Sequence, residues 1–264
     1  MVLTVHDLKA YDARATRGGL LRRWAYGVFT RLARRVVVVS ESVRQDMQRL
    51  CGVAPERIHV VPNGISRERL ALAQATMGQP ARYDFIYVSS FAKHKRHVLL
   101  LQAAPTGSRI CLIGRDMGSL AEIRAEATRR ADEIQVDILE NVDTDAQLFA
   151  LLGQSRCGVF PSVFEGFGIP LLEYGAAGLH VVASEIPPFR ELAAFVDRFV
   201  PADDAQALNQ ALAEALTLPE GPDRAAAARV AASPYTERAI ALQLARLLQI
   251  DAPLSDTQPP AARP

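Results

Sequence analysis

Short apolar, β-branched runs recur along this chain with helical patterns between them, and that rhythm limits the fold more than any single motif. The expected strands are Val2–Val5, Val36–Val39, Ile58–Val61, Phe85–Val88, Ile110–Ile113, Gln135–Leu139, Gly158–Phe160 and Leu179–Ala183. Helical patterns lie between them at Ser42–Leu50, Val98–Ala104, Leu120–Arg130 and Ala146–Leu152. Such alternation predicts an α/β protein built of right-handed βαβ units, with parallel sheets covered by helices on both faces. Val36–Val39 is apolar throughout, as a strand buried on both faces requires.

Length and composition allow one large domain or two small ones. The 264 residues are 49% hydrophobic and 22% charged, which suits a globular chain and excludes wholesale disorder. A net charge of +1 argues against a dedicated nucleic-acid binder. Cys51, Cys111 and Cys157 are odd in number and lack metal-ligand spacing, so they read as small buried hydrophobes in a reducing compartment. No apolar run approaches the ~20 residues that span a bilayer, and no signal peptide is recognised. The expected location is cytoplasmic.

The segment 157–184, CGVFPSVFEGFGIPLLEYGAAGLHVVAS, concentrates the chemistry. An apolar run ends in a Pro-Ser loop, Glu165 opens a glycine-rich turn, and a helix carrying Glu173 follows until Gly178 stops it. A helix N-terminus has unpaired N–H groups and a positive dipole end, and glycines let backbone approach phosphate closely. Carboxylates beside such a site would repel phosphate, so they suit sugar hydroxyls.

Glu165 and Glu173, in EGFGxPxxE between two strand-like runs, resemble the motif of the retaining GT-B glycosyltransferases of family 4. The segment 36–65 adds a second resemblance: a strand, Ser40 as helix cap, a Gly52 stop, Pro55, another strand and a Pro-Asn-Gly turn. The resemblance implies GT-B-type Rossmann-like parallel sheets, with one complete C-terminal domain and a partial N-terminal one. Residues 1–65 correspond to the partial acceptor-side domain, 66–82 to a linker marked by Gly78 and Pro80, and 83–232 to the nucleotide-sugar-binding domain. An amphipathic closing helix occupies 233–250, and a Pro-rich tail expected to be disordered occupies 251–264. Three origins stay open for the short first domain: an internal or misassigned start, a fragment, or strands supplied by a partner chain. A truncated chain is the reading adopted.

The resemblance also implies the site. The donor is a nucleotide-diphosphate sugar acting as co-substrate, with no other cofactor and no metal, because no DxD-like acidic pair accompanies the donor loop. Glu165 contacts the donor sugar, the Gly166–Phe167–Gly168 backbone lies against sugar and phosphates, and Glu173 accepts from the ribose hydroxyls. Lys95 matches the family's phosphate lysine. Ser89 and Ser90 stand where the family has Gly-Arg, and Lys93, His94 or Arg96 are candidates to compensate. Gly114 leaves room for the base, and His6, at a strand end, reaches the donor sugar across the cleft. Phosphate binding also explains the run KHKRH, because cations are unfavourable at a helix start. No account emerges for Tyr174, where the family has a small residue.

Residues 19–35 form a basic amphipathic pattern, with Leu21, Ala25, Val28, Phe29 and Leu32 on one face and most arginines opposite. It is expected to pack on the core through the apolar face, and peripheral contact with an anionic membrane bearing a lipid-linked acceptor is the second reading. The functional expectation is retaining transfer to a glycan or lipid-linked acceptor. Its alternatives are a non-catalytic nucleotide-sugar-binding module or partner subunit, and another GT-B enzyme such as a sugar-nucleotide epimerase or phosphorylase.

Overall fold

Val36, Val37 and Val38 are almost wholly buried, and the strand they form is the middle of a three-stranded parallel sheet. The structure, a computed structural model, describes residues 1–11, 20–219, 226, 228 and 230–249, without the side chains of residues 10 and 20–23. The first sheet joins β1 (Val2–Val5), β2 (Arg35–Val38) and β3 (Ile58–Val60) in the order β1-β2-β3. The second contains β4 (Tyr83–Val88), β5 (Arg109–Ile113), β6 (Gln135–Leu139), β7 (Ser155–Phe160), β8 (His180–Ser184) and β9 (Arg198–Val200). Its order is β6-β5-β4-β7-β8-β9, and every pairing is parallel. The expected α/β parallel architecture is therefore present. β9 escaped the sequence reading because Arg-Phe-Val is too short to carry a pattern.

The helices end where local chemistry dictates. α1 is Leu20–Leu32; α2, Glu41–Cys51, begins at Ser40, whose Oγ accepts from Val43 N, and stops at Gly52 in the left-handed region, φ 64°. α3 is Arg67–Ala75, α4 His97–Ala103 and α5 Leu120–Arg129. α6, Asp145–Gly153, starts with a Thr144–Gln147 capping box, and α7 is Ile169–Ala176. The closing helix, Glu237–Leu248, begins beside Ile65, past the Pro-Asn-Gly turn, where Ile65 N donates to Tyr235 O at 2.8 Å, and Arg35 of β2 donates to Leu247 O near its end.

Two stretches differ from expectation. Residues 66–82, read as a linker from Gly78 and Pro80, contain α3, a run of good helix formers capped by Ser66. α3 packs on α6 and α7, and the Thr76 carbonyl fills the space a side chain would take at Gly153. α1 was expected to bury its apolar face, yet Phe29 and Leu32 are 52% and 65% exposed and Ala25 and Val28 only half-buried; Trp24, off that face, is also exposed. The core instead receives Thr30 and Ala33, with Tyr26 half-buried and its hydroxyl donating to Asp7 O. Thr30 is tolerated there because its Oγ1 donates to Tyr26 O at 2.6 Å. Gly19, the side chains of Leu21, Arg22 and Arg23, and the tail 251–264 lie outside the described residues. No described helix is long and apolar enough to cross a membrane.

The strand order places a switch point in the second sheet. From β4 the chain adds β5 and β6 on one side, then returns to lay β7 against the other edge of β4. The loops after β4 and β7 consequently diverge from adjacent strand ends, which is where open α/β sheets bind ligands. Tyr174 fastens this point. Its ring lies over Gly158 of β7, where an added Cβ would come within 2.3 Å of Cδ2, and its hydroxyl accepts from Val88 N at 2.9 Å. Tyrosine is thus the residue that can cross from α7 and satisfy the last N–H of β4. Replacing it by phenylalanine leaves that partly buried N–H unpaired, so Tyr174→Phe is expected to destabilise the fold by about 1–3 kcal/mol. A denaturant midpoint equal to that of the unmodified protein would refute this anchoring role.

Candidate functional site

Lys95 and Glu165 meet at the switch point, with Lys95 Nζ 2.5 Å from Glu165 Oε1 and both side chains 14% exposed. Several contacts force this meeting. Tyr87, wholly buried on β4, donates its hydroxyl to Lys95 O at 2.9 Å and lies 3.0 Å from Ser162 Oγ in the loop after β7. Val163 N donates to His94 O at 2.9 Å, and Lys95 Nζ also sits 5.7 Å from the Phe160 ring centroid. The loop after β4 is thereby tied to the loop after β7.

The glycine turn that follows Glu165 is held from the first sheet. A Cβ on Gly166 would stand 1.8 Å from the His6 carbonyl oxygen, so only glycine allows the end of β1 to approach. Ser40 Oγ donates to Gly166 O at 2.7 Å while it caps α2. Glu191, beyond β8, accepts from Glu41 N and Ser42 N at 2.8 Å each, placing a carboxylate on the positive end of α2. Phe167 is buried, 5.8 Å from the Tyr235 ring, and anchors the turn to the start of the closing helix. Gly168 has φ 123°, closed to most side chains, and caps α7 with its carbonyl already accepting from Leu171 N. His6 itself is exposed at the end of β1, beside this turn.

Glu173 is 3% exposed and is met by Arg69 of α3, which bonds its Oε1. The same guanidinium forks onto Asp145, with Nε 2.8 Å from Oδ2 and Nη2 2.5 Å from Oδ1. Burial pushes the Glu173 pKa up and the Arg69 charge opposes it, whereas the Arg69 hydrogen bond holds Asp145 low. Sequence reading missed Arg69, although an arginine at the third position of a helix, where the dipole repels cations, was a usable signal.

The remaining expected residues are more dispersed. KHKRH is not a five-residue basic patch. Lys93 to Lys95 form a single 3₁₀ turn, and Arg96 takes a left-handed conformation, φ 59°. His97 is buried between Tyr87 (4.4 Å, stacked) and Phe91 (5.1 Å, edge-on). Burial, reinforced by the nearby Lys95 charge, lowers its pKa to about 3, so it is neutral. Lys93 pairs with Glu122 and Arg96 with Asp203, which leaves Lys95 as the cation of this run on Glu165. Ser90 is half-buried and accepts from Ala92 N. The room at Gly114 is filled by the loop after β4, because a Cβ there would lie 1.9 Å from Ser89 O. Its small size therefore serves the contact between two backbones.

Residues 77–231 match the family model described as Glycosyl transferases group 1, and residues 1–69 match Glycosyltransferase Family 4. The chain is 31% identical over 209 residues to GDP-mannose:cellobiosyl-diphosphopolyprenol alpha-mannosyltransferase of Xanthomonas campestris, covering 73% of this chain and 51% of that protein. To alpha-maltose-1-phosphate synthase of Mycobacterium tuberculosis it is 29% identical over 246 residues, 81% of this chain and 62% of the other. Among solved structures, Anabaena Alr3699/HepE in complex with UDP and glucose superposes with a TM-score of 0.72 at 19% identity, covering 94% and 71% of the two chains. The present chain spans about half the length of the first of these relatives.

The squeeze at Gly166 is directly testable. Gly166→Ala must push the turn away from the His6 carbonyl and the Ser40 hydroxyl. A loss of stability of about 1–3 kcal/mol, the scale of overpacking, is expected in thermal or denaturant unfolding. Unchanged stability would mean that the two sheets do not bear on each other there.

Proposed function

Because this chain belongs to the glycosyl transferases group 1 family, we propose that it is the donor-binding part of a glycosyltransferase, moving a sugar with retention from a nucleotide-diphosphate sugar to a glycan or lipid-linked acceptor. The observation that carries the reading is Lys95 on Glu165 at the switch point, beside the N-terminus of α7. An ammonium next to a helix N-terminus can neutralise a diphosphate without a metal. When the donor binds, Lys95 passes from the carboxylate to the phosphates, and Glu165 turns to hydroxyls of the sugar. Glu173 accepts from the ribose hydroxyls, the Gly166–Phe167–Gly168 backbone lies along sugar and phosphate, and His6 faces the sugar from the first sheet.

In the transfer, the bond between the anomeric carbon and the phosphate oxygen breaks, and a bond to an acceptor oxygen forms on the same face. The acceptor proton leaves with the nucleotide. The names of the relatives supply candidate donors, GDP-mannose and UDP-sugars, and a polyprenol-linked acceptor class. Exposed Trp24 and Phe29 beside exposed Arg31 and Arg34 support peripheral contact of α1 with an anionic membrane bearing such an acceptor. Among the described residues β1 pairs only with β2, which leaves its other edge as a candidate part of the acceptor surface.

Calorimetry of the 264-residue protein with GDP-mannose, UDP-glucose and ADP-glucose is expected to show binding to at least one. Glu173→Ala should weaken that binding by about 1–3 kcal/mol, and binding of none by a folded sample would sink the reading. Transfer is expected to be poor from this chain alone, since acceptor positioning supplies ~7–11 kcal/mol of such barriers. It should appear, with the anomeric configuration retained by NMR, in a chain extended upstream. An inverted product would overturn the mechanism, and binding without transfer in the longer chain would make this a silent nucleotide-sugar-binding module.

A further inference from the structure

We propose that Arg69 is the positioning residue of the donor site, forked onto Asp145 so that it fixes one oxygen of Glu173 and leaves the other for the donor's hydroxyls. The inference rests on the reading of Glu173 as a hydroxyl acceptor. Three elements that are distant in sequence converge here: α3 brings Arg69, α6 brings Asp145 at its first position, and α7 brings Glu173. Asp145 takes the Nε and Nη2 edge of the guanidinium, which sets its plane and leaves Nη1 for Glu173 Oε1. Among the described residues the hydrogen bond to Glu173 is made at Oε1, and the lone pairs of Oε2 remain for an O–H donor.

The division of labour requires arginine. A lysine offers three rotatable donors on one point charge and sets no plane, whereas a planar fork serves both acids in a fixed geometry. It also explains why a cation tolerates the start of α3, where the helix dipole opposes it. Glu173 is almost fully buried, and burial favours the protonated acid, which has lost one of the lone pairs that accept hydroxyls. The charged groups facing it are Arg69 of α3, which favours the carboxylate, and Asp145 of α6, which opposes it. Arg69 therefore keeps Glu173 an acceptor and orients it.

The sign of the pH effect follows. Affinity that depends on the Glu173 carboxylate is full above its folded pKa and falls as pH drops through it. Removing the Arg69 charge raises that pKa, so the loss must begin at higher pH.

The test titrates GDP-mannose and UDP-glucose calorimetrically from about pH 5 to about pH 9. The chains compared are the unmodified protein, Arg69→Ala, Arg69→Lys and Glu173→Gln. In parallel, carboxyl-¹³C-glutamate NMR follows the Glu173 signal, identified by its absence in Glu173→Gln. Arg69→Ala is expected to lose roughly 10-fold or more in affinity and to move both the acid limb and the NMR midpoint upward. Arg69→Lys, which retains the charge, should hold the midpoint near that of the unmodified protein while still losing part of the affinity. Glu173→Gln should lack the limb altogether. Folded Arg69→Ala with an unmoved midpoint and unchanged affinity overturns the proposal, as does full recovery of affinity by lysine, which would reduce the fork to a simple charge. If the unmodified protein binds neither sugar nucleotide, the donor reading fails and this role fails with it. Normal binding with an indifferent Arg69 removes the role alone.

Discussion

The parallel pairing of β4 with β7 is the constraint on which the rest of this molecule depends. The strands are separated in sequence by two other strands and three helical crossovers, yet Phe85 sits opposite Cys157 and Ile86 opposite Gly158. With that register set, the chain must leave the two strand ends in opposite directions, and the gap between the departing loops becomes the site. Gly158 accepts the Tyr174 ring, Tyr174 returns to the end of β4, and Tyr87 spans from β4 to both loops. The register, the helix that carries Glu173 and the loop that carries Lys95 are thus parts of one packing solution.

The two glutamates share one electrostatic arrangement: each is held by a cation at one oxygen. Lys95 holds Glu165 and Arg69 holds Glu173. Such partly or wholly buried pairs contribute little net stability, because desolvation consumes much of the Coulombic gain. Their value lies elsewhere. A buried carboxylate without a partner is costly to desolvate, so the pairs hold both acids in place. The two pairs are not alike. Lys95 is a flexible point charge able to change partners, while Arg69 is locked into a fork by Asp145.

The sequence made the frame legible because the frame is periodic. β-branched runs separated by helical patterns marked every strand of both sheets except β9, to within about three residues, boundaries being the least certain part of such a reading. Glu165 and Glu173 were singled out for a different reason, a glycine turn bracketed by Pro170 and Gly178, and Lys95 through the family resemblance; the pairing of Lys95 with Glu165 is what the structure adds. What stayed hidden was tertiary. Arg69 lies 104 residues from Glu173, and nothing local marks the pair apart from a cation at a disfavoured helix end. The histidines of KHKRH looked like added positive charge until burial against Tyr87 and Phe91 made His97 neutral. Tyr174 seemed anomalous because its partner, Val88 N, belongs to a strand 86 residues away. α1 misled in the opposite sense: its apolar stripe is real, but the core takes Thr30 and Ala33 instead.

The small first sheet is more than an appendage to the candidate site. The His6 carbonyl occupies the volume that any side chain at 166 would need, and Ser40 divides its hydroxyl between capping α2 and donating to Gly166 O. Glu191 reciprocates by reaching from the second sheet to the first two N–H groups of α2. Each of these contacts joins a strand or helix end of one sheet to a loop of the other, and loops at strand ends are the softest parts of an α/β fold. The position of the glycine turn is therefore determined jointly. A displacement of β1 or α2 relative to β7 must move Gly166, and with it Glu165 on one side and the N-terminus of α7 on the other. Both sheets consequently enter the geometry presented to a ligand, even though Lys95, Glu165 and Glu173 belong to the loops and helix of the second sheet and Arg69 to α3, which precedes it.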